Sequence, residues 1–180
     1  KARAAAKRDG RNTEEMDERA RELEKLLPGV DFTGLALAAL DDSIFQRALT
    51  TIEKQFADRP LVKAMLLQSL AATLLEAGLL DAAIEPQTEA LAVRRRELGD
   101  QHADTLSSIA HMGVLIRARG NLAEAEPYYH EALEKRRRVL GDEHLDTLSS
   151  IHSMGMLLQA RGKLKEAEPF YREAFEKRRR

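Results

Sequence analysis

Cysteine is absent from the 180 residues, so a disulfide framework and thiolate chemistry are excluded. This fits a reducing, cytoplasmic setting. Aromatic residues make up 4%, and no basic module with aromatic platforms for nucleic acid is present. Neither charge sign dominates: the net charge is -1, so no overall field draws in nucleic acid or an anionic membrane. No apolar run approaches the ~20 residues of a membrane span. The opening KARAAAKRDG lacks the apolar stretch of a secretory signal. β-branched residues are few and scattered, so no strand is expected. The chain also begins without Met and stops in mid-pattern at Arg180, as a fragment of something longer would.

What is present favours helix. Charged residues make up 33%, alongside abundant Ala and Leu. One stretch occurs twice. Leu98–Arg138 and Leu140–Arg180 are offset by 42 residues, and 29 of the 41 aligned pairs are identical. Such self-similarity describes one structural unit, stacked. A third, more divergent copy precedes them: shifted by 42, Gly78 falls on Gly120, Leu80 on Leu122, Ala83 on Ala125, Ala90 on Ala132 and Arg94 on Arg136.

Residues 1–29 read as a charged linker helix. Met16, Ala20, Leu23 and Leu27 form one narrow stripe, and Pro28-Gly29 ends it. A short coiled-coil end is the alternative. Residues 30–59 read as N-terminal capping helices. One is capped by Asp31 or Thr33 and runs to Leu40. The next is capped by Asp41 or Asp42 and runs to Phe56, with Ile44, Phe45, Ala48, Leu49, Ile52 and Phe56 on one face. Residues 60–180 read as three helix pairs, 60–98, 99–140 and 141–180.

Each pair follows one grammar. Gly99 and Gly141 suit a left-handed position after a helix. Asp104-Thr105 and Asp146-Thr147 are placed to cap the first helix of a pair, helix A. Helix A carries Leu106, Ile109, Met112, Leu115 and Ile116, matched by Leu148, Ile151, Met154, Leu157 and Leu158. Gly120 and Gly162 end it. The second helix, helix B, carries Leu122, Ala125, Tyr129, Ala132 and Leu133, then Leu164, Ala167, Tyr171, Ala174 and Phe175. Pro86 stands one position out of line with Pro127, which predicts different winding at that helix start.

No chemistry-bearing constellation emerges. Arg94–Arg96, Arg136–Arg138 and Arg178–Arg180 would make a basic ridge if exposed. In the last turn of helix B they would instead complement the dipole and pair with Glu131, Glu134 and Glu173 at helical spacing. His102 and His144 sit in equivalent linkers, where bonds to nearby backbone or carboxylates would fix the turn. His111, His130 and His152 lie on helices, and no two histidines have metal-ligand spacing. The TLSS elements at 105–108 and 147–150 lack a nucleophile elbow and an activating set. The ten glycines form no phosphate loop. The expectation is a non-catalytic protein with no cofactor and no metal.

The grammar resembles the tetratricopeptide repeat. The family pattern's small, Gly, Ala, aromatic and Ala positions are matched by Gly113, Gly120, Ala125, Tyr129 and Ala132. The second copy supplies Gly155, Gly162, Ala167, Tyr171 and Ala174. The third supplies Ala71, Gly78, Ala83, Gln87 and Ala90, with Gln87 in the aromatic place. The 42-residue period and the linker L-G-D-x-H resemble the kinesin-light-chain-like subclass, common in bacterial multidomain proteins. Ala103 and Leu145 replace that subclass's usual Pro, and its paired Asn are absent at Ala110-His111 and His152-Ser153. Residues 30–58 look like the region between a bacterial Ser/Thr protein kinase domain and its C-terminal repeats.

The resemblance implies an all-α fold, a right-handed superhelical α-solenoid of stacked antiparallel helix pairs. It implies protein binding in the concave groove lined by the A helices. Carried over, the groove positions are Gln68, Ala72 and Leu75, then Ala110, His111, Val114 and Arg117, then His152, Ser153, Met156 and Gln159. Four of the 12 differences between the close copies fall there: Ala110/His152, His111/Ser153, Val114/Met156 and Arg117/Gln159. The expected partner is a protein or peptide, with neither nucleic acid nor membrane. Two alternatives are self-assembly through uncapped repeat ends, including Phe170 and Phe175, and regulation of an attached kinase.

Overall fold

The computed structural model describes residues 44–179, within the compact unit Ile44–Arg180. The linker helix expected over 1–29, the capping helix over 30–40 and the caps Asp41 and Asp42 lie outside the described residues. Seven α-helices follow: α1 Gln46–Gln55, α2 Pro60–Glu76, α3 Leu80–Leu98, α4 Ala103–Ala118, α5 Leu122–Leu140, α6 Leu145–Ala160 and α7 Leu164–Arg178. Helix α1 starts after a short π turn at Ile44-Phe45. It buries Leu49 with Ala64, Leu67, Ala90 and Val93 of the first pair.

The remaining helices form three antiparallel pairs, α2/α3, α4/α5 and α6/α7, which stack in chain order. Among the described residues the fold is all-α, a tetratricopeptide-like solenoid. Each pair is joined by a three-residue turn. Its glycine takes a left-handed backbone, φ 79° at Gly78, 85° at Gly120 and 74° at Gly162. In the second turn the Asn121 amide donates to the Ile116 carbonyl at 3.2 Å, and the Gly120 amide to Arg117 at 2.9 Å. These two bonds satisfy carbonyls that a helix end leaves open, and the other two turns repeat them.

The junctions between pairs are built differently. Gly99 and Gly141 have φ 82° and 87°, but ψ 169° and 166°. They therefore occupy the mirror-extended region, essentially closed to other residues, and not the expected left-handed helical one. The next helix is capped by histidine and not by the Asp-Thr pairs. His102 Nδ1 accepts from the Asp104 amide at 3.2 Å, and His144 Nδ1 from the Asp146 amide at 3.1 Å. The helix begins one residue before each aspartate, so Asp104 and Asp146 sit in the first turn, where their charge still favours the dipole. The linker histidines thus fix the turn as their position suggested.

The expected winding difference at Pro86 is not seen. Helices α3, α5 and α7 start 42 residues apart, at Leu80, Leu122 and Leu164. The one-residue shift instead rotates the ring about 100° around the helix. Pro86 is buried, whereas Pro127 and Pro169 are exposed.

The core runs along the stack. Leu106, Ile109, Leu148, Ile151 and Leu157 are at most 2% exposed. Each such side chain contributes about 1.5–3 kcal/mol of burial. Within a pair, close approach depends on a missing side chain. A Cβ on Gly113 would lie 3.3 Å from the Tyr129 ring and from Tyr128 Cβ. On Gly155 it would lie 2.9 Å from Tyr171. The first pair has Ala71 and Gln87 at these two positions, a larger residue facing a slimmer one.

Gly113→Ala is therefore expected to cost about 1–3 kcal/mol by overpacking against the buried Tyr129 ring. In a Tyr129→Gln background that added cost should largely vanish, a coupling on the order of 1 kcal/mol in urea unfolding. Strictly additive costs would contradict the packing account. Separately, His144→Ala should lose about 1 kcal/mol while His144→Asn keeps most of it, because Asn restores a capping acceptor.

Candidate partner-binding groove

The Arg triplets are the first feature that the fold reassigns. Arg94 and Arg136 are buried, at 8% and 6% exposure. Each leaves the end of a helix B and reaches into the next helix A. Arg94 Nη1 donates to Ser108 Oγ at 2.7 Å, to the Asp104 carbonyl at 3.2 Å and to Gln68 Oε1. Arg136 Nη1 donates to Ser150 Oγ at 2.8 Å and to the Asp146 carbonyl at 3.0 Å. Burial pulls both guanidinium pKa values down, opposed by Asp104 and Asp146, and arginine remains charged.

The second member of each of the first two triplets bridges neighbouring pairs. Arg95 meets Glu131 at 2.7 Å and Asp100 at 3.1 Å, and Arg137 meets Glu173 at 2.7 Å and Asp142 at 3.3 Å. Lys135 and Lys177 join the same carboxylates. Burial alone would raise the Glu173 pKa, but the hydrogen bonds from Lys177 and Arg137 outweigh it and leave it below the usual range. Glu131 and Glu173 thus pair with the preceding helix B and not with arginines at helical spacing on their own helix. There is no continuous basic ridge over Arg94–Arg96 and Arg136–Arg138.

Four of the sequence-derived groove positions border one cavity. Ala72 and Leu75 of α2 and His111 and Val114 of α4 line a space of about 320 Å³, with Ala71, Glu76, Gln87 and Leu115. Its lining is mainly apolar. Gln87 is 2% exposed and donates from Nε2 to the Ser108 carbonyl at 3.0 Å. His111 keeps an exposed edge, but its surroundings and the charges of Arg136 and Arg94 hold its pKa below the ordinary histidine value, burial being the largest cause.

The other positions lie outside that cavity. Gln68 is held by Arg94 and Ser108, whose Oγ donates to it at 2.6 Å. Ala110 packs on the cluster of Leu91, Leu106, Ile109 and Ala132. Arg117 Nε donates to the Tyr129 hydroxyl at 3.1 Å. Burial raises the pKa of that phenol, while Arg117 opposes the rise. The Tyr171 hydroxyl donates to Gln159 at 2.6 Å, and its ring lies 5.3 Å from that of His152. Ser153 Oγ donates to the Ser149 carbonyl at 2.9 Å, and Met156 is half-buried.

Gln87 and Glu76 were not among the sequence candidates. The signal was Gln87 itself, standing where the other pairs carry Tyr129 and Tyr171. Position 75 varies with it: Leu75 accompanies Gln87, whereas Arg117 and Gln159 hydrogen-bond the two tyrosines. Gln87, standing where the other pairs have tyrosine, lines the cavity between α2 and α4. Arg94 and Arg136 also had a signal, in Ser108 and Ser150, hydroxyls buried among the apolar residues of helix A.

Helix pairs stacked in this way define a repeat-built α-solenoid. Residues 64–104 and 103–180 each match the tetratricopeptide repeat family, and the chain is a tetratricopeptide repeat protein. The fold is similar to the crystal structure of BtubC (BKLC) from P. vanneervenii, at TM-score 0.66 and 20% identity. That match covers 90% of this chain and 69% of the other. It is also similar to nearly identical TPR-like repeats from a candidate kinesin light chain of Podosopora anserina. Two structures of these give TM-scores of 0.61 and 0.60 at 21% and 22% identity, covering 76% and 79% of this chain and 68% and 71% of theirs. No curated protein matches the chain. No helix among the described residues is long and apolar enough to cross a membrane.

His111 gives a pH signature. Its folded-state pKa lies below the unfolded value of about 6.5. Its contribution to stability is therefore complete above that value and is lost as pH falls from there through the lower folded pKa. The melting temperatures of the wild type and His111→Gln should diverge on acidification, the wild type falling faster. Parallel curves would show that His111 titrates as if unfolded.

Proposed function

We propose that this chain is a non-catalytic interaction module that holds a segment of a partner protein along α2, α4 and α6. The observation that carries the reading is the mainly apolar cavity between α2 and α4. Its size suits an apolar side chain with adjacent backbone, and the two other pairs fill the corresponding position with tyrosine. Glu76 and His111 at its border offer polar contacts that would orient the entering segment. The variation among pairs at positions 68/110/152 and 75/117/159 supports the same face, because core positions are nearly all kept.

A peptide library selected on the chain tests this. Selected binders should lose at least about tenfold in affinity, roughly 1.4 kcal/mol, when Val114→Arg blocks the cavity. They should keep their affinity for Ala92→Arg, which changes an exposed position on α3. Binders indifferent to Val114→Arg would overturn the groove assignment.

A second reading is self-association through α7. Phe175 is 61% exposed, although its counterpart Leu133 is 4% exposed under the following pair. A concentration-dependent mass in light scattering that Phe175→Glu abolishes would support it.

A further inference from the structure

One row of side chains on α5 is covered by the next helix. Glu126, Tyr129, Leu133 and Arg136 follow one another at spacings of three, four and three, so they share one side of the helix. Helix α6 runs antiparallel along that side. Arg161, at its far end, meets Glu126. Tyr129 and Leu133 pack with Leu148, Ile151 and Leu157. Arg136 bonds to Asp146 and Ser150 near the start of α6. The row thus accepts an antiparallel helix that sets a cation against its acid and apolar side chains against its centre.

The same row recurs on α7 as Glu168, Tyr171, Phe175 and Arg178. No helix among the described residues lies over it. Phe175 is 61% exposed, and Glu168 and Arg178 are exposed as well. Glu168 meets Arg172 one turn along at 2.6 Å, an exposed pair that a new partner displaces at little cost.

The order of the row selects what fits it. Three, four, three reads alike in both directions, and the two ends carry opposite charge. Laid antiparallel on itself, about a two-fold axis level with Glu173, the row sets Glu168 opposite Arg178 of the second copy and Tyr171 opposite Phe175 of the second copy. The axis repeats both pairs, so every member is matched. The helix dipoles oppose each other in the same arrangement. A second copy does not fit the other end of the stack. There α1 buries Leu49 against Ala64, Leu67, Ala90 and Val93. In the places of Thr105 and Ser108, α2 carries Lys63 and Leu66. An incoming Arg178 would meet a like charge there and find no hydroxyl. Head-to-tail growth is therefore disfavoured, and pairing through α7 stops at two.

We propose that two copies of this chain join as a closed dimer, α7 against α7 in antiparallel order, with Glu168–Arg178 ion pairs flanking a Tyr171–Phe175 centre. The inference rests on the reading of self-association through α7 and adds its geometry.

The test is a charge-reversal cycle on the whole chain, followed by sedimentation equilibrium. The wild type should fit a monomer–dimer equilibrium without larger species. Glu168→Arg and Arg178→Glu should each weaken dimerisation at least tenfold, because each sets like charges opposite one another. The double variant restores opposite signs and should recover most of that loss. Raised salt should narrow the differences. Circular dichroism should show unchanged helix content in all three variants, since both positions are exposed. A monomer at every concentration would overturn both this proposal and the reading beneath it. Three results would overturn the antiparallel pairing alone: dimers that Phe175→Glu abolishes but the charge reversals leave intact, a double variant no better than the single ones, or assembly beyond two copies.

Discussion

The separation of the two helices within a pair is the constraint on which the rest depends. It is set where Tyr129 packs against the bare backbone of Gly113, and again where Tyr171 meets Gly155. That contact fixes how far helix A stands from helix B. It thereby fixes where Leu106, Ile109 and Met112 meet the preceding pair, and where Arg136 can cross to the next helix. Interiors at crystal-like density do not absorb a displacement locally. A change in one pair is therefore passed to the stack. Solenoids have no long-range contacts that would hide it, because each unit touches only its neighbours.

The fold was legible in the sequence because its determinants are local and repeated. Ala125, Tyr129 and Ala132 recur at Ala167, Tyr171 and Ala174, and glycines mark every turn. What was illegible was any interaction joining one pair to the next. Arg94 and Arg136 lie beside other arginines in sequence, and only the fold shows them leaving the surface to reach Ser108 and Ser150. Glu131 and Glu173 look like helical partners of arginines on their own helix. Each binds the arginine 36 positions earlier, on the preceding helix B, and the cation one turn along its own helix is a lysine, Lys135 or Lys177. The capping histidines lay between these cases. Their linker role was readable from repetition, but the choice of His over Asp depends on a helix start that shifts by one residue.

The candidate groove was only half legible. Family positions supplied Ala72, Leu75, His111 and Val114, which do border one cavity. They could not tell that Gln68 is already bonded, or that Gln87 on the other helix lines the same space. Groove residues are chosen by their direction, which a repeat pattern conveys. Whether a side chain is free depends on partners up to 40 residues away, as for Ser108 and Gln68.

The pairing of Gly with Tyr in two units and of Ala with Gln in the third bears on how such an array changes over generations. Gly-Tyr and Ala-Gln are each workable; Ala with Tyr is crowded, and Gly with Gln leaves a void. A lineage moving between the two pairs by single substitutions must cross a less stable intermediate. Copying a whole 42-residue unit avoids it. The two nearly identical pairs at the end of this chain, beside a first one that differs at both linked positions, match what copying a whole unit produces.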